Sequence, residues 1–358
     1  MRAGLAVAHT HQWTWSVRRP GSNPGALGWK AATMDEQARQ RRRAEAHRSV
    51  RRRRLIAAGA GVVVLALGSI LVVVAGEGRG GGRQTHTGGV AARRQARLIT
   101  LFGGGRQIFP AHRVVAYYGA PGDARLGILG AAPPDRIARL LKHQARAYAR
   151  LGRPVLPALE LVATVATRSP GADGMYSSRQ PAAVVRRYLN AARRARALLI
   201  LDLQPGRSEF LTEARVYESF LRDPDVSLAL DPEWQLAPGQ TPGQQIGSTD
   251  AATINQVSAY LARIVAKGRL PQKLLIIHQF TSDMIRRRDQ IRRRPGLAIT
   301  INIDGFGDRP NKIARYRALS TSPHLYHGLK LFYQQDPQLM TPHQVLRLVP
   351  RPLLVVYQ

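Results

Sequence analysis

Residues 98–358 contain eight short, apolar, β-rich runs that alternate with Arg/Ala-rich amphipathic segments. The runs are Val114–Gly119, Pro154–Leu161, Leu198–Leu203, Val226–Trp234, Lys273–Phe280, Leu297–Asp304, Leu329–Tyr333 and Leu353–Gln358. Between them the spacing predicts helices over 134–151, 180–197, 208–222, 250–268, 282–294, 309–319 and 342–348, with Pro181 and Pro342 in first turns and Ser208 and Asp250 as caps. Nearly continuous apolar strands separated by helices belong to a parallel sheet covered on both faces. Eight of them in roughly 250 residues predict an α/β fold of the TIM-barrel, (β/α)8, type. A doubly wound open sheet is the competing architecture, but Tyr118-Gly119-Ala120-Pro121-Gly122 after the first run lacks the dinucleotide fingerprint. The last run reaches Gln358, so the expected barrel lacks its eighth helix, and residues 98–112 are expected to cover that gap.

The N-terminal part is a different object. Leu55 to Gly76 is a 22-residue stretch without a charged side chain, directly preceded by Arg51, Arg52, Arg53 and Arg54. At 1.5 Å per residue such a helix crosses the ~30 Å hydrocarbon layer, and the arginines hold its leading end in the cytoplasm. The expectation is an uncleaved single-pass signal anchor over 55–76, because the h-region of a cleaved signal peptide is shorter, ~7–15 residues. Residues 1–54 then form a basic cytoplasmic tail, 77–97 a flexible Gly/Arg-rich linker, and 98–358 an extracytoplasmic domain. The 33 residues before Met34 show no hydrophobic periodicity, and Gly21-Ser22-Asn23-Pro24 back-translates to the T-arm consensus of a transfer-RNA gene. Residues 1–33 are therefore expected to be a start-site artefact, with translation beginning at Met34.

Charge follows the same division. The net +32 comprises 13 basic against 3 acidic residues over 1–54, five against one in the linker 77–97, and 36 against 18 over 98–358. The first block reads as a topology signal with added attraction to anionic lipid. The last is diffuse, and on an exported domain it does not point to nucleic acid. The absence of cysteine excludes disulfides, thiolate metal sites and cysteine nucleophiles.

Hydrophilic residues collect where the runs end: Tyr118, Glu160, Asp202 with Gln204, Asp231 with Glu233, His278 with Gln279, Asp304, Tyr333 and Tyr357. In a barrel these ends meet at one mouth. Asp231-Pro232-Glu233-Trp234 is the sharpest of them. On an extended strand residues two apart share a face, so both carboxylates are expected to enter the mouth, raise one another's pKa and prepare a general acid. Glycosidic cleavage needs such a donor and a second carboxylate. Trp234, Tyr118, Tyr333 and Tyr357 are candidate sugar platforms.

A strand ending in D-x-E, fourth in such a barrel, resembles the chitinase-type and lysozyme-type glycosidases. The resemblance implies Glu233 as acid, Asp231 as its supporting partner, and Asp304 as a match to the strand-six Asp of chitinase-like sites. The longer D-x-x-D-x-D-x-E pattern is missing, because Ser227 and Ala229 stand at its earlier acidic positions. Segments LDLQPGRSEFLTEA and LALDPEW are similar to an uncharacterised group of exported, membrane-anchored actinobacterial proteins, which implies location more than activity. The expected catalytic set is Glu233, Asp231, Asp202 and Asp304. The expected substrate-binding set is Tyr118, Glu160, Gln204, Trp234, His278, Gln279, Tyr333 and Tyr357. No cofactor is expected, and the expected partners are cell-envelope carbohydrate and, through 55–76, membrane lipid.

Two other functions fit the same residues. Glu160, Asp202, Asp231, Glu233, His278 and Asp304 could serve a divalent-metal hydrolase, although no H-x-H or H-E-x-x-H occurs. A non-catalytic barrel binding envelope glycan or anionic polymer would use the basic exterior, with Asp202–Arg207 as a contact loop or a plain turn. The loop 235–249 would roof the cleft, and 282–294 would be a basic helix.

Overall fold

The computed structural model describes residues 98–358. The expected tail, anchor and linker lie outside those residues; among the described residues no helix is long and apolar enough to cross a membrane.

Eight strands close on themselves: β1 Arg113–Gly119, β2 Val155–Ala166, β3 Leu198–Leu203, β4 Val226–Leu230, β5 Lys273–Gln279, β6 Leu297–Ile303, β7 Tyr326–Leu331 and β8 Leu354–Tyr357. Each pairs in parallel with the next, and β8 returns to β1 with Val114 opposite Leu354, which makes a closed parallel barrel. Around it run α1 Pro134–Ala149, α2 Ala182–Arg194, α3 Phe210–Val216, α4 Glu218–Leu221, α5 Ala251–Lys267, α6 Arg309–Leu319 and α7 Pro342–Leu346.

Strand alternation sorts the core into two layers. Val114 and Ala116, Leu198 and Ile200, Leu274 and Ile276, and Leu354 and Val356 fill the barrel interior. Their outward neighbours, Val115, Leu199, Leu201, Leu275, Ile277 and Val355 among them, pack under the helices with Ile137, Leu141 and Tyr148 of α1. At the N-terminal end the interior is stoppered by Leu101, Ile108 and Phe109. The Gln272 amide oxygen holds that stopper by accepting from the Ile108 and Phe109 amides at 2.7 and 2.8 Å. Residues 98–112 therefore plug the barrel floor and do not lie over the open flank of β8. There the Tyr148 and Tyr357 hydroxyls, 2.7 Å apart, tie α1 to β8.

Several expected elements differ. Residues 282–294 are not a helix: two single-turn 3-10 segments flank a two-residue strand, Ile285–Arg286, paired with Thr249–Asp250. The stretch has only Met284, Ile285 and Ile291 as apolar anchors, too few for a helical stripe. Its arginines diverge to separate acceptors, Arg286 to Ser248, Arg287 to Asp250 and Arg288 to Gln279, Leu319 and Thr321. The expected helix 208–222 breaks at Tyr217 into α3 and α4. Ser208 does not cap it, because its hydroxyl donates to the buried Glu213 carboxylate. Asp250 does cap α5, accepting from the Thr253 amide. β4 ends at Leu230, and Pro232–Trp234 forms a 3-10 turn.

Candidate active site

Inward-facing positions change character toward the C-terminal end of the barrel. Tyr118 follows Ala116, Glu160 follows Ala158, Asp202 follows Ile200 and His278 follows Ile276, each two residues along the same face of its strand. The β1–β2 register sets Tyr118 beside Glu160, and the β5–β6 register sets His278 beside Asn302. Five buried polar side chains thus converge above an apolar interior.

His278 is the hub. Its Nδ1 lies 2.8 Å from Asp304 Oδ2, and its Nε2 lies 3.0 Å from Glu160 Oε1 and 3.7 Å from Asp202 Oδ1. Both first partners are carboxylates, so both ring nitrogens donate and the ring is an imidazolium. Burial opposes that charge, but Asp304 and Glu160 override it and hold the His278 pKa well above its ordinary value. Asp304 is itself fixed by the Asn302 amide at 2.8 Å and by Lys330 Nζ at 3.4 Å. Burial pushes its carboxyl up, yet the cations of His278 and Lys330 bring it below the usual aspartate value. Lys330 rests 3.5 Å from the centre of the Tyr118 ring. Burial works against its charge, and the surrounding carboxylates, Asp304 first, keep it raised. Tyr118 donates to Asp202 Oδ2 at 3.1 Å and accepts from the Gln204 amide at 3.0 Å.

The remaining acids lean the other way. Asp202 is pushed up to about 6 by burial, with His278 opposing and Glu160 adding to the rise. Asp231 is raised well above the ordinary range by burial and then by Asp202, with Glu233 a lesser contributor. The expected mutual elevation of Asp231 and Glu233 is therefore corrected in its cause. The 3-10 turn removes the strand alternation that was to place them side by side, and among its charged neighbours Asp231 is raised most by Asp202, after burial itself. Glu233 is half-buried on that turn and is raised by burial, with Lys330 opposing and Asp304 adding. Among the described residues neither Asp231 nor Glu233 has a side-chain hydrogen-bond partner, so both are available to a ligand.

Of the expected set, Tyr118, Glu160, Asp202, Gln204, Asp231, Glu233, His278 and Asp304 gather at this mouth. Trp234 sits half-exposed on the same turn as Glu233. Gln279, Tyr333 and Tyr357 do not take part. Because His278 faces in, Gln279 faces out, where it accepts from Arg288 and donates to the Thr281 carbonyl. Because Val356 faces in, Tyr357 faces out, and Tyr333 stacks on it at 5.3 Å in the helix layer. Lys330 and Asn302 were not anticipated. Their signal lies in the sequence: Lys330 is a lone cation between Leu329 and Leu331, two residues after Gly328, and Asn302 interrupts an isoleucine run two before Asp304.

The loops around the mouth are held by their own backbone. Arg207 donates through Nε and Nη2 to the Gln240 carbonyl and stacks on Tyr176, so Asp202–Arg207 ends as a braced turn. The 235–249 loop joins it, with the Leu236 amide on Gly206 O and the Gly247 amide on Glu233 O at 2.8 and 2.7 Å.

No protein-family model and no curated protein matches this chain. Among solved structures it is similar to wild-type Ruminococcus gnavus sialic acid aldolase, with a TM-score of 0.36 and 9% identity over 69% of this chain and 68% of that one. So distant a likeness carries no inference about chemistry, and the barrel rests on the strand pairings themselves.

Proposed function

We propose that the mouth cleaves a glycosidic bond in cell-envelope carbohydrate, with Glu233 as the proton donor. The observation that carries this is the state of Glu233: a half-buried carboxyl, raised by burial, unpaired, and placed on the turn that follows β4 beside a cluster of ionised groups. A general acid must hold its proton near neutral pH and present it to the leaving oxygen, which is what such a carboxyl does. Asp231 lies behind it as the supporting group. Asp202 and Asp304 are the candidates for the second carboxylate role, and Asp304 is the better ionised because two cations surround it. Tyr118, Glu160, Gln204 and His278 hold or orient hydroxyls, and Trp234 offers an aromatic face at the rim. The Arg-flanked segment 55–76 supports a membrane-anchored enzyme facing outward from the cytoplasm.

The test is a glycan-release screen on the purified full chain against Glu233→Gln. Loss of a positioned general acid removes ~10²–10⁴-fold of rate. Release by the variant at the wild-type rate would refute the assignment. Because the acid must be protonated, the wild-type rate is also expected to fall on the alkaline side as Glu233 ionises.

A further inference from the structure

Glu160, Asp202 and His278 come from three separate strands, and their side chains are all essentially buried, at 0%, 0% and 1% exposure. One donor atom from each lies within 4.8 Å of the other two. The cluster contains two oxygens that its protein partners leave unused: Glu160 Oε2 and Asp202 Oδ1 are both fully buried and have no hydrogen-bond partner. A buried acceptor without a partner is destabilising, and more so when it is charged. Asp202 Oδ1 lies 3.7 Å from His278 Nε2, and Glu160 Oε2 belongs to the carboxylate whose Oε1 lies 3.0 Å from the same nitrogen, so both unused oxygens sit on carboxylates that face one imidazole and could share a cationic ligand.

We infer that Glu160, Asp202 and His278 form a binding site for one divalent ion of the zinc or manganese class. The spacing fits such an ion. Bonds of ~2.0–2.2 Å at tetrahedral angles separate donor atoms by ~3.4 Å. His278 Nε2 stands 3.0 Å from Glu160 Oε1 and 3.7 Å from Asp202 Oδ1, on either side of that separation. The ring is already aimed. Asp304 accepts from Nδ1, and Asn302 and Lys330 steady Asp304 in turn, the outer support that ligating histidines use. Asp202 is held on its other oxygen by Tyr118, which leaves Oδ1 for the ion. Binding would replace the Nε2 proton, released to solvent, with the metal. One nitrogen and two carboxylates suit zinc or manganese. Calcium takes six to eight oxygens and magnesium a nearly all-oxygen octahedron, so both fit less well. Three protein ligands leave coordination positions open to hydroxyls of a bound ligand.

This site shares its mouth with the proposed glycosidase but does not depend on Glu233, and the two fail separately. The full chain, stripped with a chelator, is dialysed to equilibrium against Zn²⁺ and, separately, Mn²⁺, and bound metal is measured by mass spectrometry. One tightly held ion per chain is expected in the wild type and in Glu233→Gln. Affinity is expected to fall at least about 100-fold in Asp202→Asn and in Glu160→Gln, each checked for its fold by circular dichroism; even outer-shell losses cost 10–100-fold. X-ray absorption at the metal edge of the loaded wild type needs no variant, and it should read one imidazole nitrogen with oxygen ligands at ~2.0–2.2 Å. Equal binding by wild type and variants, no ion retained by the wild type, or a shell of several imidazoles would each overturn the inference. A Glu233→Gln chain that keeps its ion but releases glycan normally would refute the acid assignment and leave the metal site standing.

Discussion

Lys273 opens β5 and is fully buried at the closed end of the barrel, where its ammonium donates to the backbone carbonyls of Asp223 and Val226. Burial outweighs the attraction of Asp225 and Asp223 and lowers its pKa from 10.5 to about 7. The sign follows directly. Between about pH 7 and 10.5 the unfolded chain binds this proton and the folded chain does not, so stability rises with pH across that window. The full penalty at low pH is 3.5 pKa steps, roughly 5 kcal/mol, and the part relieved between pH 7 and 9 is about 2 kcal/mol. For a domain of this size that corresponds to a rise of roughly 4–8 °C in the melting midpoint. Lys273→Met removes the titration but leaves two carbonyls without their donor, at ~1–3 kcal/mol each. Its absolute stability at pH 7 is therefore expected near that of the wild type, and the slope with pH is the informative quantity. Urea midpoints of both chains, followed by circular dichroism at pH 7, 8 and 9 with chelator present, should diverge as the wild type gains. Parallel slopes would show that Lys273 stays charged inside the fold and that the reasoning about its burial is wrong.

Gly328→Ala would place a methyl 2.6 Å from Asn302 Oδ1 and 2.9 Å from Leu354 Cβ, so calorimetry should show a loss of about 1–3 kcal/mol. Tyr357→Phe should lose about 1 kcal/mol through the Tyr148 hydroxyl and leave glycan turnover unchanged; a turnover defect without a stability loss would return Tyr357 to the mouth. Peptide mapping of the expressed protein should find no peptide N-terminal to Met34, and one from residues 1–33 would sink the start-site expectation. The full chain should sediment with membranes and be released by deleting 55–76; an unchanged distribution would remove the anchor.

Much of the barrel was legible because its strands are apolar on both faces and need no long-range information to be seen. All eight runs overlap observed strands, and 309–319 is helical end to end. What failed did so for identifiable reasons. The six arginines within 286–294 have no apolar stripe to hold a helix, and Arg286, Arg287 and Arg288 each reach a separate distant acceptor. Taking the last polar residue of every run for the mouth ignored the period of two: it mistook Tyr357 and Gln279 for inward residues and passed over Lys330 and Asn302. The pairing of Asp231 with Asp202 was out of reach, since it depends on a turn at Pro232 and on register between strands.

The His278–Glu160 contact spans 118 residues of chain, and the Tyr118–Asp202 contact spans 84. No hairpin or βα unit contains either pair: Tyr118–Asp202 needs three consecutive strands in place, and Glu160–His278 reaches across the barrel from β2 to β5. A ligand that bridges them, whether sugar or ion, binds only the finished barrel and stabilises it by mass action. The mouth is then also the fastener of the barrel: what fills it should raise the melting midpoint of the whole domain in proportion to the logarithm of its concentration, and half-built chains should ignore it.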